Sequence, residues 1–275
     1  MSEAIWFKNG ERLQSAPLYD MDHPFARWGD GNYDTQRLLR GRGIGAEHHA
    51  RRLIESATAT HTAVNPDTIE ATIAAATLAS AALDDAALRT IIAHTRIGVD
   101  VVCVLTPWSP PADEYFAHGR SAILSDIPHP GLGFLGKSLS YQYLKVAFRG
   151  ATMAGADDAL LCQGENVIES SSAALAWSDG RDWFRADTDG RGLRSTTADA
   201  LAECGWAWTA RVPTRSELLA AEEIVLLSGL HLAVGLRTLA LHDSPYDVVW
   251  TCDAPDRSAA TMRRRLLDSL AGTSV

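Results

Sequence analysis

Residues 136–143 read Gly-Lys-Ser-Leu-Ser-Tyr-Gln-Tyr, and Lys137 among them is one of three lysines in a chain of 275 residues. Lys8 lies beside an Asn9-Gly10 turn, and Lys145 lies further along the same periodic run, where a solvated face is the ordinary expectation. Lys137 differs from both. It follows a loop rich in Gly and Pro, Ile127 to Gly136, and the run from Lys137 to Gly155 has the apolar spacing of an amphipathic helix. A lysine at such a junction has an anchored backbone and an amine that can point into a cleft. Partial loss of water favours the neutral amine, which can add to a carbonyl. One lysine alone would still be read as a solvated residue at a helix start, so the stretches around it decide.

The chain is long enough to bury a large core in two domains. Its net charge of -9 argues against a nucleic-acid partner, which calls for a basic surface. No apolar run reaches the ~18 residues of a membrane span, and no signal peptide is expected at the start. Cys103, Cys162, Cys204 and Cys252 are widely spaced without a CxxC pair. They read as reduced thiols of a cytoplasmic protein, with no metal site.

Local patterns outline the elements. Asn9-Gly10 is a hairpin signal between two short strands. Ala46 to Thr60 and the run after Pro66 have helical periodicity, and Ala87–Gly98 with Val99–Trp108 reads as two β-rich strands. Pro110-Pro111 marks a linker. In the second half, hairpins turn at Gly164 and at Asp179-Gly180, and Leu236 to Asp243 reads as a strand. The run Asp256 to Gly272 closes the chain as an amphipathic helix. Strands and helices mix without regular alternation, and neither GxGxxG nor a P-loop is present. The expected class is α+β, with a small domain over residues 1–118 and a larger one, holding Lys137 and Glu169, over 119–275.

Four further stretches carry chemistry. Trp28 to Leu38 has Gly29 and Gly31 around Asp30, then Tyr33 entering a strand; alone this is a turn. Arg52 sits on a helix one turn after His49. Its fork suits a phosphate dianion, although a solvated helix face is the plainer reading. Glu169 ends a strand before three serines and could accept a hydrogen bond from a protonated ring nitrogen; otherwise it is an edge residue. Ser195, Thr196 and Thr197 open a helix, where backbone N–H groups attract an anion or need only an N-cap.

In this order and spacing the five stretches resemble the fold type IV pyridoxal-phosphate enzymes. These include branched-chain and D-amino-acid aminotransferases and 4-amino-4-deoxychorismate lyase. The resemblance covers nearly the whole chain and extends to Ser228-Gly229-Leu230. It implies pyridoxal 5'-phosphate as cofactor, a cofactor site between two domains and a homodimer. It implies that Lys137 forms the Schiff base and shuttles a proton, and that Glu169 keeps the pyridine nitrogen protonated. Arg52, Ser195, Thr196 and Thr197 would bind the phosphate, Tyr33 would line the pocket, and Ser228-Gly229 would form a second phosphate-side loop. The Arg and His with which D-amino-acid aminotransferases hold the substrate carboxylate have no counterpart, so that specificity is not expected. The glycine-rich loop of many deoxychorismate lyases is also missing. The expected activity is amino transfer between an amino acid or amine and a 2-oxo acid. The alternative is the lyase giving 4-aminobenzoate and pyruvate. Arg89, Arg96 and Arg194 are candidates for holding a substrate carboxylate.

Overall fold

The computed structural model of the chain describes residues 4–131, 136–186, 191–241 and 244–271. They form two compact units, Met1–Pro110 with Phe134–Ser140, and Pro111–Gly133 with Tyr141–Val275. Both combine sheets with helices outside any regular alternation, an α+β fold.

The first unit holds a six-stranded sheet. Its order is Glu11–Leu13, Ile5–Lys8, Gly98–Pro107, Asp85–Thr95, Gly31–Leu39, Arg42–Gly43, with every neighbour antiparallel. Asn9 and Gly10 turn the first hairpin with φ of 48° and 90°, the left-handed pair that matches strand twist. Period-two alternation sends Phe7, Leu38, Leu88 and Leu105 to one face, where Ala76 of the helix Pro66–Ala79 covers them. The helix Ala46–Ala59 adds Leu53 and Ala57 against Ile69, Ile92 and Val101. Pro66 starts its helix after Asn65, whose side chain accepts from Asp67 N at 2.9 Å.

The second unit holds a nine-stranded mixed sheet. Its path runs Thr209–Arg211, Trp183–Ala186, Ala174–Ser178, Glu223–Ser228, Leu232–Leu241, Arg120–Leu124, Asp158–Gln163, Asn166–Ser170, and Ser244–Thr251 lies beside Leu232–Leu241. Adjacent residues of one strand serve different cores. Leu160 packs with Leu124, Leu175, Trp177 and Leu226, whereas Leu161 packs with Ile123 and with Leu144, Ala147 and Ala151 of the helix Gln142–Met153. A strand covered on both faces reads as continuous apolar sequence, which accounts for "DALLC". The helix Asp256–Ala271 closes the chain. Among the described residues no helix is long and apolar enough to cross a membrane.

Two expectations change, the start of one helix and the linker. The helix expected from Lys137 begins at Gln142, because the backbone of 137–139 is bonded elsewhere: Tyr33 N donates to Lys137 O at 2.9 Å and Leu139 N to Gly31 O at 2.9 Å. The segment Phe134–Ser140 groups with the first unit, and the two units part at Pro110/Pro111. The expected linker contains a helix, Asp113–His118. Part of the loop before Lys137, residues 132–135, lies outside the described residues, as does the end of the expected strand at 242–243.

Two glycines make a paired test of packing. A Cβ on Gly235 would meet the backbone O of Pro255 at 1.7 Å, while one on Gly150, inside the helix Gln142–Met153, would meet nothing within 4 Å. Gly235→Ala should destabilise by about 1–3 kcal/mol through overpacking. Gly150→Ala should stabilise by roughly 0.5–1 kcal/mol, because it restricts the unfolded chain. Urea midpoints of the two variants should move in opposite directions; movement in the same direction would refute this account.

Candidate active site

In the first unit, glycines let the Lys137 segment touch two elements at once. Gly136 has a φ of 59°, and a Cβ there would lie 2.6 Å from Ser56 Cα. Its absence lets Lys137 N donate to Ser56 Oγ at 3.0 Å, while that hydroxyl donates to Arg52 O at 2.7 Å. On the other side, a Cβ on Gly31 would meet Ile92 O at 2.3 Å, and one on Gly29 would meet Ser140 Oγ at 2.8 Å. An antiparallel bridge, Asn32 to Ser138, completes the docking. The resulting position puts Lys137 Nζ 5.1 Å from the centre of the Tyr33 ring, over which Arg89 Cζ also stands at 4.4 Å.

Strand alternation sends Asp34 to the face opposite Tyr33, under the helix Ala46–Ala59. It is buried there, accepting from Arg52 Nε at 2.8 Å, Arg52 Nη2 at 3.0 Å and His49 Nδ1 at 2.7 Å. Burial alone would raise the Asp34 carboxyl. The Arg52 charge and then His49 overcome this and hold it well below the usual carboxylate range. Burial also drives the His49 imidazole down, against the pull of Asp34, so it donates to Asp34 as the neutral ring. Arg52, plausible from sequence as a solvated residue, is instead a buried fork whose plane Asp34 fixes.

In the second unit Glu169 is 6% exposed on the strand Asn166–Ser170. Its Oε1 lies 2.8 Å from His129 Nε2, and Leu193 N donates to its Oε2 at 3.4 Å. His129 Nδ1 accepts from Gly131 N at 3.0 Å, so the ring proton is on Nε2 and points at Glu169. Ser195 caps the helix Thr196–Glu203, its Oγ accepting from Ala198 N at 3.1 Å, and Thr196 and Thr197 are buried in its first turn. Ser228 ends the strand Glu223–Ser228, pairs with Leu232, and leads into the turn at Gly229. Within the described residues no group of His, Cys, Asp and Glu could hold a metal.

The candidate arginines separate clearly. Arg194 Nε is 2.6 Å from Asp199 Oδ2, and Arg96 Nη2 is 2.7 Å from Asp20 Oδ2 on an exposed surface. Arg89 has no carboxylate partner among the described residues. Sequence reasoning does not single out His129, Asp34 or Ser56. Asp34 stands inside the "GNYDT" stretch, but neither His129 nor Ser56 gives a local signal.

The first unit thus carries a docked lysine beside an aromatic ring, and the second a buried carboxylate. The model of the Amino-transferase class IV family matches residues 31–239. The chain belongs to that family and is a pyridoxal-phosphate-dependent aminotransferase of fold type IV. A hypothetical aminotransferase from Mycobacterium tuberculosis, in its apo form, superposes with a TM-score of 0.81 at 25% identity, over 97% of this chain and 98% of that one. A fold IV transaminase from Curtobacterium pusillum gives 0.80 at 21%, over 96% and 99%. The branched-chain amino acid aminotransferase of Escherichia coli gives 0.78 at 17%, over 98% and 94%. The last two likenesses concern the fold. No curated protein matches the sequence.

The neutral His49 sets a sign. Its folded pKa lies below the unfolded value of about 6.5, so below that pH the unfolded chain takes up a proton that the native state refuses. Stability should be full above pH ~6.5 and fall with acidification, by up to about 1.4 kcal/mol per pH unit for one proton. Asp34 adds a second loss below about pH 4, as its carboxylate is forced to protonate. His49→Asn, which keeps an N–H for Asp34, should flatten the slope between pH ~7 and ~5 in urea titrations. Equal slopes in wild type and variant would show that His49 is charged or uninvolved.

Proposed function

We propose that this aminotransferase moves an amino group between an amino acid and a 2-oxo acid, with Lys137 and Glu169 as its catalytic residues. The observation that carries the assignment is Glu169. It is a buried carboxylate with neutral donors alone, since His129 Nδ1 is an acceptor and neither Lys nor Arg lies within ion-pair distance among the described residues. An uncompensated buried anion is costly, and a protonated ring nitrogen is the cation that would relieve it. Each unit offers groups of the kind pyridoxal phosphate takes: in the first an amine at Lys137 and the Arg52 guanidinium, in the second a carboxylate at Glu169 and a helix start at Thr196 and Thr197.

When bound, pyridoxal phosphate supplies an electron sink for the pair left behind as the substrate loses its proton. Lys137 Nζ holds the cofactor and then takes up and returns that proton. Glu169 would pair with the ring nitrogen and favour its protonated form. Arg52 binds the phosphate as a fork fixed by Asp34, and Ser195, Thr196 and Thr197 offer a helix start to the same anion. Ser228 and Gly229 give the second phosphate-side loop. Tyr33 forms a pocket wall, and Arg89, stacked on it, receives the substrate carboxylate. The relative from Mycobacterium tuberculosis is named a hypothetical aminotransferase, and the lyase is not better supported.

The test is a half-reaction. Holoenzyme mixed with candidate amino acids and no acceptor should lose its visible band as the aminated cofactor accumulates. Borohydride should fix the label on the Lys137 peptide. Arg89→Ala should raise KM for the 2-oxo acid about tenfold or more, the loss of one charged hydrogen bond, with little change in kcat. Pyruvate and 4-aminobenzoate released from aminodeoxychorismate, with the band restored each turnover, would replace transfer by the lyase reaction.

We propose further that the chain is a homodimer in the cytoplasm. Leu18, Met21, Trp28 and Ile97 of the first unit are exposed apolar side chains that a second subunit would cover, and the cysteines described are free thiols. Light scattering should give twice the mass of the 29.7 kDa chain; a monomeric mass at micromolar concentration would refute the dimer.

A further inference from the structure

We propose that His129 is a positioning residue for Glu169, holding the carboxylate in place as a neutral donor. The proposal rests on the reading of Glu169 given above. His129 is fixed at three points. Its backbone N donates to Cys162 O at 2.8 Å, which ties it to the strand Asp158–Gln163, and its Nδ1 accepts from Gly131 N at 3.0 Å. Tyr143 packs edge-on against the ring, with centroids 5.6 Å apart at 90°. The side chain is 1% exposed, so water does not compete for Nε2.

The tautomer follows from the acceptor role of Nδ1. A proton there would face the Gly131 N–H, so Nε2 carries the hydrogen. Nε2–H then donates to Glu169 Oε1 over 2.8 Å. A lysine or arginine in this place would neutralise the carboxylate and weaken its hold on a cationic ring nitrogen. A neutral histidine fixes the rotamer and leaves the negative charge available. Leu193 N, at 3.4 Å from Oε2, is a weaker second donor, so the orientation depends chiefly on His129.

The tautomer can be read without any cofactor. Nitrogen-15 NMR of the histidine rings in the apo-protein should show His129 as the neutral Nε2–H form near neutral pH, with signals assigned by their loss in His129→Gln. An Nδ1–H tautomer or a charged ring would overturn the proposal. In the holoenzyme, His129→Phe removes the donor and keeps a ring against Tyr143. It should lower kcat about tenfold or more, as expected for losing a hydrogen bond to a charge, leave KM within about twofold, and shift the pH at which the visible band changes. His129→Gln, which restores an N–H near the Nε2 position, should recover most of kcat and the band. If His129→Phe does not fold, the NMR tautomer and the His129→Gln band decide. Glu169→Gln is the control that separates the two readings. A normal band and rate in Glu169→Gln would overturn the assignment of Glu169 and this proposal with it. A damaged Glu169→Gln beside an unaffected His129→Phe would overturn this proposal alone.

Discussion

The approach of one backbone to another at Gly136 and Gly31 is the constraint on which the placement of Lys137 depends. Lys137 lies in neither a helix nor a strand of the main sheet. It is held because its N–H reaches Ser56 Oγ, its carbonyl accepts from Tyr33, and Leu139 N reaches Gly31 O. Two glycines leave room for this arrangement. A Cβ at Gly136 would sit inside Ser56, and one at Gly31 would sit inside the carbonyl of Ile92. Ser56 extends the constraint to the helix that carries Arg52, because one hydroxyl serves both Lys137 N and Arg52 O. The amine and the guanidinium are thus placed by shared backbone contacts.

Two buried carboxylates show how differently one chain can treat the same group. Asp34 is met by both Nε and Nη2 of Arg52 and by neutral His49. Its charge is compensated in place, and its work is to orient the guanidinium. Glu169 is met by a neutral imidazole and a backbone amide. Hydrogen bonds hold it, and among the described residues no Lys or Arg pairs with it, so a cation could pair with it. A net charge of -9 does not predict either environment; partner chemistry at each site decides.

Much of this is legible locally. Asn9-Gly10, the helix starting at Pro66 and the hairpin at Gly164 depend on residues adjacent in sequence, and they stand where turn and cap chemistry puts them. The order of the Gly-Asp-Gly, Arg, Lys and Glu stretches is enough to indicate the family. What escapes a local reading is whatever requires a distant partner. The 137–155 run has a helical period, but its first turn is lost to hydrogen bonds with residues about a hundred positions earlier. Arg52 reads as solvated because its counter-ion is on another element. Arg194 reads as available, yet Asp199, one turn ahead in the helix it precedes, takes its guanidinium. His129 is ordinary until Gly131 and Glu169 are both seen around it.

The three serines after Glu169 gain a physical meaning from Asp158. This carboxylate is fully buried, and Ser170 Oγ donates to it at 3.1 Å, Ser172 Oγ at 2.5 Å, and Ser171 Oγ also donates. Arg120 Nη1 stands 3.1 Å from the same carboxylate, so its charge is compensated. Ser170 Oγ also accepts from Ala173 N at 2.8 Å, which closes the turn. Serine suits all three positions because its short hydroxyl can donate to one centre from successive residues while the backbone bends around it. The chain leaving Glu169 is therefore tied to the start of the neighbouring strand, while His129 holds the side chain from the far end of that strand. With backbone and side chain restrained separately, the carboxylate has little freedom to turn away from a ligand, and this pre-organisation needs no charge beyond its own.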